Sequence, residues 1–190
     1  GRRPLAPHRA EPGRLIEVSG LKVLHLLLTE PGAVRRPYRR LAKEAGVALG
    51  TVGVVMRELK LAGYLRKAGP DEWNVQQRPA LVEMFVRGYA LKLRPACLIE
   101  RYRHQEQDVG RLRQTLVGRL ARQGVRYALT GGTAAEILTG YLRPDLVTLF
   151  VEDAGLAALK EERMLPDPVH GQVILLKQFW PAVAAPGKAD

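Results

Sequence analysis

The feature that most constrains this chain is a glycine set between two short helical patterns. Residues 38–45 read YRRLAKEA, Gly46 follows, and a second pattern starts near Leu49 in LGTVGVVMRELKL. Gly46 can take the left-handed conformation that closes a helix, and Val47 can then drop between the two helices. A turn of only about three residues sends the second helix off at a steep angle. Within it Val52, Val55, Met56 and Leu59 recur at helical spacing and are expected to face inward, leaving Gly50, Thr51, Gly53, Val54, Arg57 and Lys60 outward. The run LKVLHLLLTE, from Leu21, supplies an apolar helix for the pair to pack on. Downstream, YLRK at 64–67 and WNV at 73–75 flank Gly69, Pro70, Asp71 and Glu72, turn formers that predict a two-stranded hairpin. Three helices and a hairpin in this order make a winged helix-turn-helix over residues 19–78. The same geometry also serves as a plain packing unit in proteins that never touch nucleic acid.

Charge weighs against the plain packing unit. Residues 1–80 carry 15 Lys and Arg against 7 Asp and Glu, a balance of +8, whereas residues 81–190 carry 15 against 12, a balance of +3. Most of the positive field therefore sits on the module that would face phosphate. The pI near 10.2 points the same way, although an Arg-rich proteome offers another origin, Arg outnumbering Lys 22 to 8. Hydrophobic residues at 46% leave ample material for a core. The lone Cys97 cannot form an internal disulfide and reads as a buried thiol in a reducing, cytoplasmic, nucleoid-associated protein. No apolar run approaches the roughly 20 residues of a membrane helix, so no membrane partner is expected.

The rest of the chain divides as follows. Residues 1–18 form a basic Pro/Arg-rich arm, and Gly1 is expected to be the trimmed end of something longer. Residues 79–105 predict a helical bridge with Leu81, Met84, Phe85, Gly88, Tyr89 and Leu91 on one face and a break or kink at Pro95. Residues 106–182 predict a small α/β domain, and 183–190 a flexible tail. In the α/β domain Asp108 caps a helix running to about residue 123, with Val109, Leu112, Leu116 and Leu120 as its stripe and Gly124 as its stop. Strands at 126–130, 146–151 and 172–179 alternate with helices at 133–141 and 153–163, a βαβαβ order that predicts a mixed or parallel sheet.

A strand, Gly131-Gly132, a helix and then a strand entered through Asp145 is the layout of nucleotidyltransferases, where glycines admit a triphosphate and paired carboxylates hold two metal ions. Two acids must alternate on one strand so that both share a face. Asp145 takes the first position, but the second is Val147, and Glu152 and Asp153 lie too far along. The expected class is thus α+β, a winged helix-turn-helix followed by a degenerate nucleotidyltransferase-like domain that is not an enzyme. Gly131, Gly132 and Asp145 are retained as a nucleotide- or ligand-binding candidate; a tight strand-to-helix turn explains the glycines without any ligand. His8, His25, His104 and His170 are scattered without metal-ligand spacing, so neither metal nor other cofactor is expected. His25, inside an apolar helix, reads as a satisfied core or edge residue.

Taken together, GLKVLHLLLTEP, YRRLAKEAGVALGTVGVVMRELKLAGYL, RGYALKLRP, ERYR, GGTAAEILTGYLRPDLVTLFV and the closing QVILLKQFWP resemble the AbiEi-type transcriptional regulators, the antitoxins of type IV, abortive-infection toxin–antitoxin systems. The resemblance runs from Leu21 to Pro181. Its most specific parts are Gly-Gly-x-Ala-Ala with Thr-Gly-Tyr-Leu-Arg-Pro, and the terminal Phe-Trp. It implies a bacterial repressor that controls its own operon and antagonises a cognate nucleotidyltransferase toxin without a tight complex. Members usually carry a further region ahead of the helix-turn-helix. Ala48 stands where such helices often have Ser, which removes a cap worth about 1 kcal/mol.

For operator DNA the candidate contacts are Tyr38, Arg39 and Arg40 at the start of the second helix, Thr51, Arg57 and Lys60 on the third, and Arg66 with Lys67 on the wing. Only Arg57 could fork onto a guanine, and no Asn or Gln faces outward for adenine. Binding is therefore expected to rest on phosphate and shape, with specificity from homodimer spacing or from Arg2, Arg3, Arg9 and Arg14 in a minor groove. The alternatives are a nucleotidyltransferase-like enzyme, or an α/β domain that binds RNA or protein.

Overall fold

A computed structural model describes residues 13–70, 72–141 and 144–180. Arg2, Arg3, Arg9, Asp71 and the expected tail at 183–190 lie outside the described residues. The protein is a mixed α and β structure of two compact units, one holding the described residues through Ala96 together with Phe179 and Trp180, the other Cys97–Gln178. The stretch expected as a separate bridge, 79–105, is shared between them.

The amino-terminal unit begins with α1 (Val18–Thr29), whose Leu21, Val23, Leu24 and Leu27 are almost wholly buried. A 3-10 turn, Ala33–Arg35, leads into α2 (Tyr38–Ala45). Gly46 then takes φ +62° and the amide of Val47 donates to the Ala42 carbonyl at 3.0 Å, which satisfies an end-of-helix acceptor and aims the chain into α3 (Leu49–Leu61). Val52, Val55, Met56 and Leu59 are 0–1% exposed; each contributes about 1.5–3 kcal/mol of apolar burial. Strands β1 (Leu65–Lys67) and β2 (Trp73–Val75) pair antiparallel, with Arg66 opposite Asn74 and Lys67 opposite Trp73. Next come α4 (Arg78–Gly88), a π-helical turn at Tyr89–Leu93 and the one-turn α5 (Arg94–Cys97). The chain stays helical through Pro95, the wide turn just before it making room for the proline ring beside the carbonyl four residues back.

Leu15, expected in the solvated arm, is instead 1% exposed. The Glu58 carboxylate accepts from the amides of Arg14 and Leu15 at 3.1 Å, so residues 13–16 form a turn tied to α3. That turn crosses α1 at Gly20, where a Cβ would lie 1.9 Å from the Arg14 carbonyl oxygen.

The second unit departs from its expectation at its first element. Leu98–Arg103, expected as the end of a helix, is a strand, β3. Ile99 and Tyr102 suit a pleated surface and pack against the core, and pairing with a distant strand decides the matter where local propensity does not. There follow α6 (Val109–Arg122), β4 (Tyr127–Leu129), α7 (Gly131–Thr139), β5 (Val147–Val151), α8 (Asp153–Leu159), the two-residue β6 (Leu165–Pro166) and β7 (Val173–Lys177). The sheet order is β4-β5-β7-β3-β6; β5 and β7 are parallel and the other pairs antiparallel, so the sheet is mixed. Leu112, Leu116 and Leu120 of α6 and Leu159 of α8 pack on Val147, Leu149, Val151, Val173 and Leu175. The alternate residues Thr148, Phe150, Ile174 and Leu176 turn to the other face and are buried as well.

Candidate nucleic-acid interface

The first turn of α2 is cationic at the wrong end for local stability. Tyr38, Arg39 and Arg40 are exposed there, next to the positive pole of the helix dipole, and no side chain caps the preceding Pro37. Cations at that position are disfavoured by about 0.3–1 kcal/mol. Arg40 is partly satisfied within it, its Nε donating to Glu44 at 2.7 Å; Arg36 donates to the same carboxylate at 2.6 Å and to Glu30 at 3.2 Å. Burial pushes the Glu44 carboxyl up, but the hydrogen bonds from Arg40 and Arg36 outweigh it and leave the pKa below its ordinary value. Among the described residues Arg39 forms no ion pair.

On α3 the N-cap is Ala48, which offers no side-chain cap, and within the first turn the Thr51 amide donates to the Ala48 carbonyl at 3.0 Å. Arg57 is exposed on the outward face and, among the described residues, is in no ion pair. Thr51 is half-buried and borders an open depression shared with Ala48, Val47 and Lys22. Gly50 and Gly53 leave open space where a side chain would stand, so backbone could approach a groove there.

Lys60 occupies a different setting from the one its spacing suggests. Its Nζ lies 3.3 Å from the Tyr38 hydroxyl and 4.1 Å from the centroid of the Trp73 ring, and Lys67 approaches the same ring at 6.0 Å. The cation over the indole ties α2, α3 and the hairpin together, a contact worth about 0.5–1 kcal/mol in a half-exposed site. Tyr38, Lys60 and Lys67 are thus brought together around Trp73, a residue the sequence reading placed on the hairpin without a role. Lys67 standing opposite Trp73 in the hairpin register was the available signal. Arg66 and Lys67 are both exposed on β1.

In the second unit Gly131 and Gly132 form the first turn of α7 instead of a separate turn. Gly131 takes φ +62°, and a Cβ on Gly132 would meet Pro144 at 3.2 Å. The left-handed backbone thus accounts for Gly131 and packing against the loop before β5 for Gly132. The buried Thr133 hydroxyl donates to the Leu146 carbonyl at 2.8 Å and accepts from the Thr148 amide at 3.4 Å, fastening α7 to β5. Asp145 is exposed just ahead of β5, and Val147 is wholly within the core. Glu152 pairs with Arg126 at 3.3 Å and Asp153 with Lys177 at 3.3 Å, both at the far end of β5. Among the described residues no three His, Cys, Asp or Glu side chains gather as a metal site, and no helix is long and apolar enough to cross a membrane.

His25, expected as a core or edge residue, is a half-buried member of an aromatic cluster, with Phe179 at 4.9 Å, Phe85 at 5.6 Å and Trp180 at 5.8 Å between ring centroids. Burial lowers its pKa, with the charge of Glu30 opposing.

Comparison with known proteins bears mainly on the carboxy-terminal part. Residues 74–190 match the model of a family described as transcriptional regulator, AbiEi antitoxin, type IV toxin–antitoxin system. No curated protein and no solved structure matches the chain.

Proposed function

The chain belongs to the AbiEi_2 family of transcriptional regulators and type IV antitoxins, and from that premise we propose that it is a repressor that binds the operator of its own operon through a winged helix-turn-helix. The family match begins inside the hairpin, so the DNA-binding reading of the helices ahead of it rests on their own residues. One observation carries it: α2 and α3 meet at Gly46 so that Arg39, Arg57 and the hairpin residues Arg66 and Lys67 are left exposed while the inward face is fully packed. Exposed arginines that are in no ion pair among the described residues, beside the uncapped start of α3, suit phosphate oxygens. Arg40 can join them by exchanging Glu44 for phosphate. Lys60 supports the hairpin through Trp73 instead of reading bases. With glycines at 50 and 53, shape and backbone approach contribute more than side-chain readout.

We read the α/β unit as a binding module and not a catalyst. The support is Val147, whose place in the core leaves Asp145 without the second carboxylate that two-metal phosphoryl chemistry needs. Exposed Ile137, Leu138 and Tyr141 on and just after α7 offer an apolar surface on the same unit. The antitoxin role, a homodimer on a two-fold operator and antagonism of a cognate toxin without a tight complex complete the reading.

The test is fluorescence anisotropy with the promoter DNA of the protein's own operon. Arg57→Ala is expected to weaken binding by about 1–3 kcal/mol and to reduce the salt slope by about one unit. Unchanged affinity in Arg57→Ala and Arg39→Ala would sink the assignment. Transfer of labelled nucleotide to RNA or protein with magnesium, abolished by Asp145→Ala, would replace the binding reading of the second unit with an enzymatic one.

A further inference from the structure

An open pocket of about 610 Å³ lies in the amino-terminal unit, bordered by α1, α2 and the pair Phe179 and Trp180. Sites for small molecules occupy roughly 300–1,000 Å³. One side is aromatic. The His25 ring is stacked with Trp180 at 5.8 Å and meets Phe179 edge-on at 4.9 Å. Burial, against the opposing charge of Glu30, depresses the His25 pKa, so this side is an uncharged stacking surface at neutral pH.

The other side is charged, and its charges do not balance. Arg36 and Arg40 line the pocket, but both are engaged: Glu44 accepts from each, at 2.6 and 2.7 Å, and Glu30 accepts from Arg36 at 3.2 Å. Two arginines are thus matched by two carboxylates. Lys22 and Lys43 border the same volume, and among the described residues neither is in an ion pair. The pocket therefore combines aromatic rings with two ammonium groups beyond the charges that the Arg–Glu network matches internally.

We infer that this pocket binds a small planar anion, an aromatic ring bearing a carboxylate or a phosphate group. The ring packs against the His25–Trp180 pair from the pocket, removing apolar surface from water, and the anionic group takes the ammonium groups of Lys22 and Lys43. No ion pair has to break on binding. A free inorganic anion lacks the stacking term, and a neutral ring lacks the charge term, so neither half alone binds well. The inference concerns the protein without DNA and stands apart from the operator reading.

The experiment is a calorimetric titration of the full chain, free of DNA, with adenosine 5′-monophosphate, benzoate, adenosine and inorganic phosphate. At least one of the two ring anions is expected to saturate the protein, with adenosine and phosphate about tenfold weaker or more. Adenosine monophosphate alone would identify a phosphate-bearing ligand, and benzoate alone a carboxylate. The Lys22→Ala/Lys43→Ala double variant should bind the ring anion about tenfold more weakly with an unchanged melting curve; Lys43→Glu, on the exposed side of α2, serves if the double variant is unstable. Trp180→Ala should weaken ring anions while leaving phosphate unaffected. Failure of both ring anions to bind, phosphate binding as tightly as adenosine monophosphate, or full affinity in the lysine variants would overturn the inference.

Discussion

Gly53 separates folding from recognition in one position. It sits inside α3, where glycine costs about 0.8–1 kcal/mol relative to alanine, and a Cβ added there meets nothing within 4 Å. Gly53→Ala should therefore raise stability by about 1 kcal/mol, or about 2–4 °C in Tm for a chain of this length. Glu and Lys have helix propensities within a few tenths of alanine, so Gly53→Glu and Gly53→Lys should also stabilise. Near the amino-terminal half of α3 the dipole favours Glu slightly over Lys. Against DNA the order reverses. If the outward face of α3 meets phosphate, Lys adds a contact and Glu a repulsion, and each phosphate contact changes affinity about threefold between 50 and 200 mM salt. Thermal melts followed by circular dichroism measure the first quantity, and anisotropy titrations at two salt concentrations the second. The expected affinity order is Lys, then Ala, then Glu, with a spread of about tenfold at low salt that shrinks as salt rises. Three variants of equal affinity at low salt would refute the placement of α3 against DNA. A Tm that fails to rise in Gly53→Ala would refute the account of the helix itself.

Three further outcomes rest on packing and charge. Gly20→Ala drives a methyl to 1.9 Å from the Arg14 carbonyl oxygen, a backbone atom held in place by Glu58; a loss of about 1–3 kcal/mol or more is expected in urea unfolding, and stability equal to wild type would show that the 13–16 turn is not seated there. His25 has a folded pKa below its unfolded value near 6.5, because burial disfavours the charged ring. The unfolded state therefore binds the proton first, so stability is complete above about pH 6.5 and falls as pH drops below it; His25→Phe should flatten that limb of a Tm-against-pH curve between pH 7 and 5. Thr133→Val keeps the volume but leaves the Leu146 carbonyl and the Thr148 amide without the hydroxyl, at an expected cost of about 1–3 kcal/mol in chemical denaturation.

Much of the local structure could be read from residues alone because short-range physics sets it. The period of Val52, Val55, Met56 and Leu59, the left-handed Gly46 and the Asp108 side chain accepting from the Arg111 amide at 2.7 Å each depend on neighbours a few positions away. Helices at 38–45 and from 49, and strands at 65–67 and 73–75, stand where those signals put them. That Val147, two positions after Asp145, carries no carboxylate is likewise plain from the letters.

Tertiary structure decided the rest, wherever a residue's fate depended on a distant partner. Leu98–Arg103 became a strand because it pairs with β7, and β4 runs antiparallel to β5 where the strand–helix alternation also allowed a parallel sheet. Lys60, outward by helical spacing, is drawn onto Trp73 once the hairpin folds over it. His25 meets Phe179 and Trp180 from the opposite end of the chain, a contact that no local period encodes. Backbone propensity and side-chain spacing act over one or two turns, whereas closing long loops yields contacts set by what surface remains unpaired. Sequence thus determined a cationic helix pair and the strands of an apolar sheet; only the assembled fold made the aromatic and lysine-bordered pocket beside that pair.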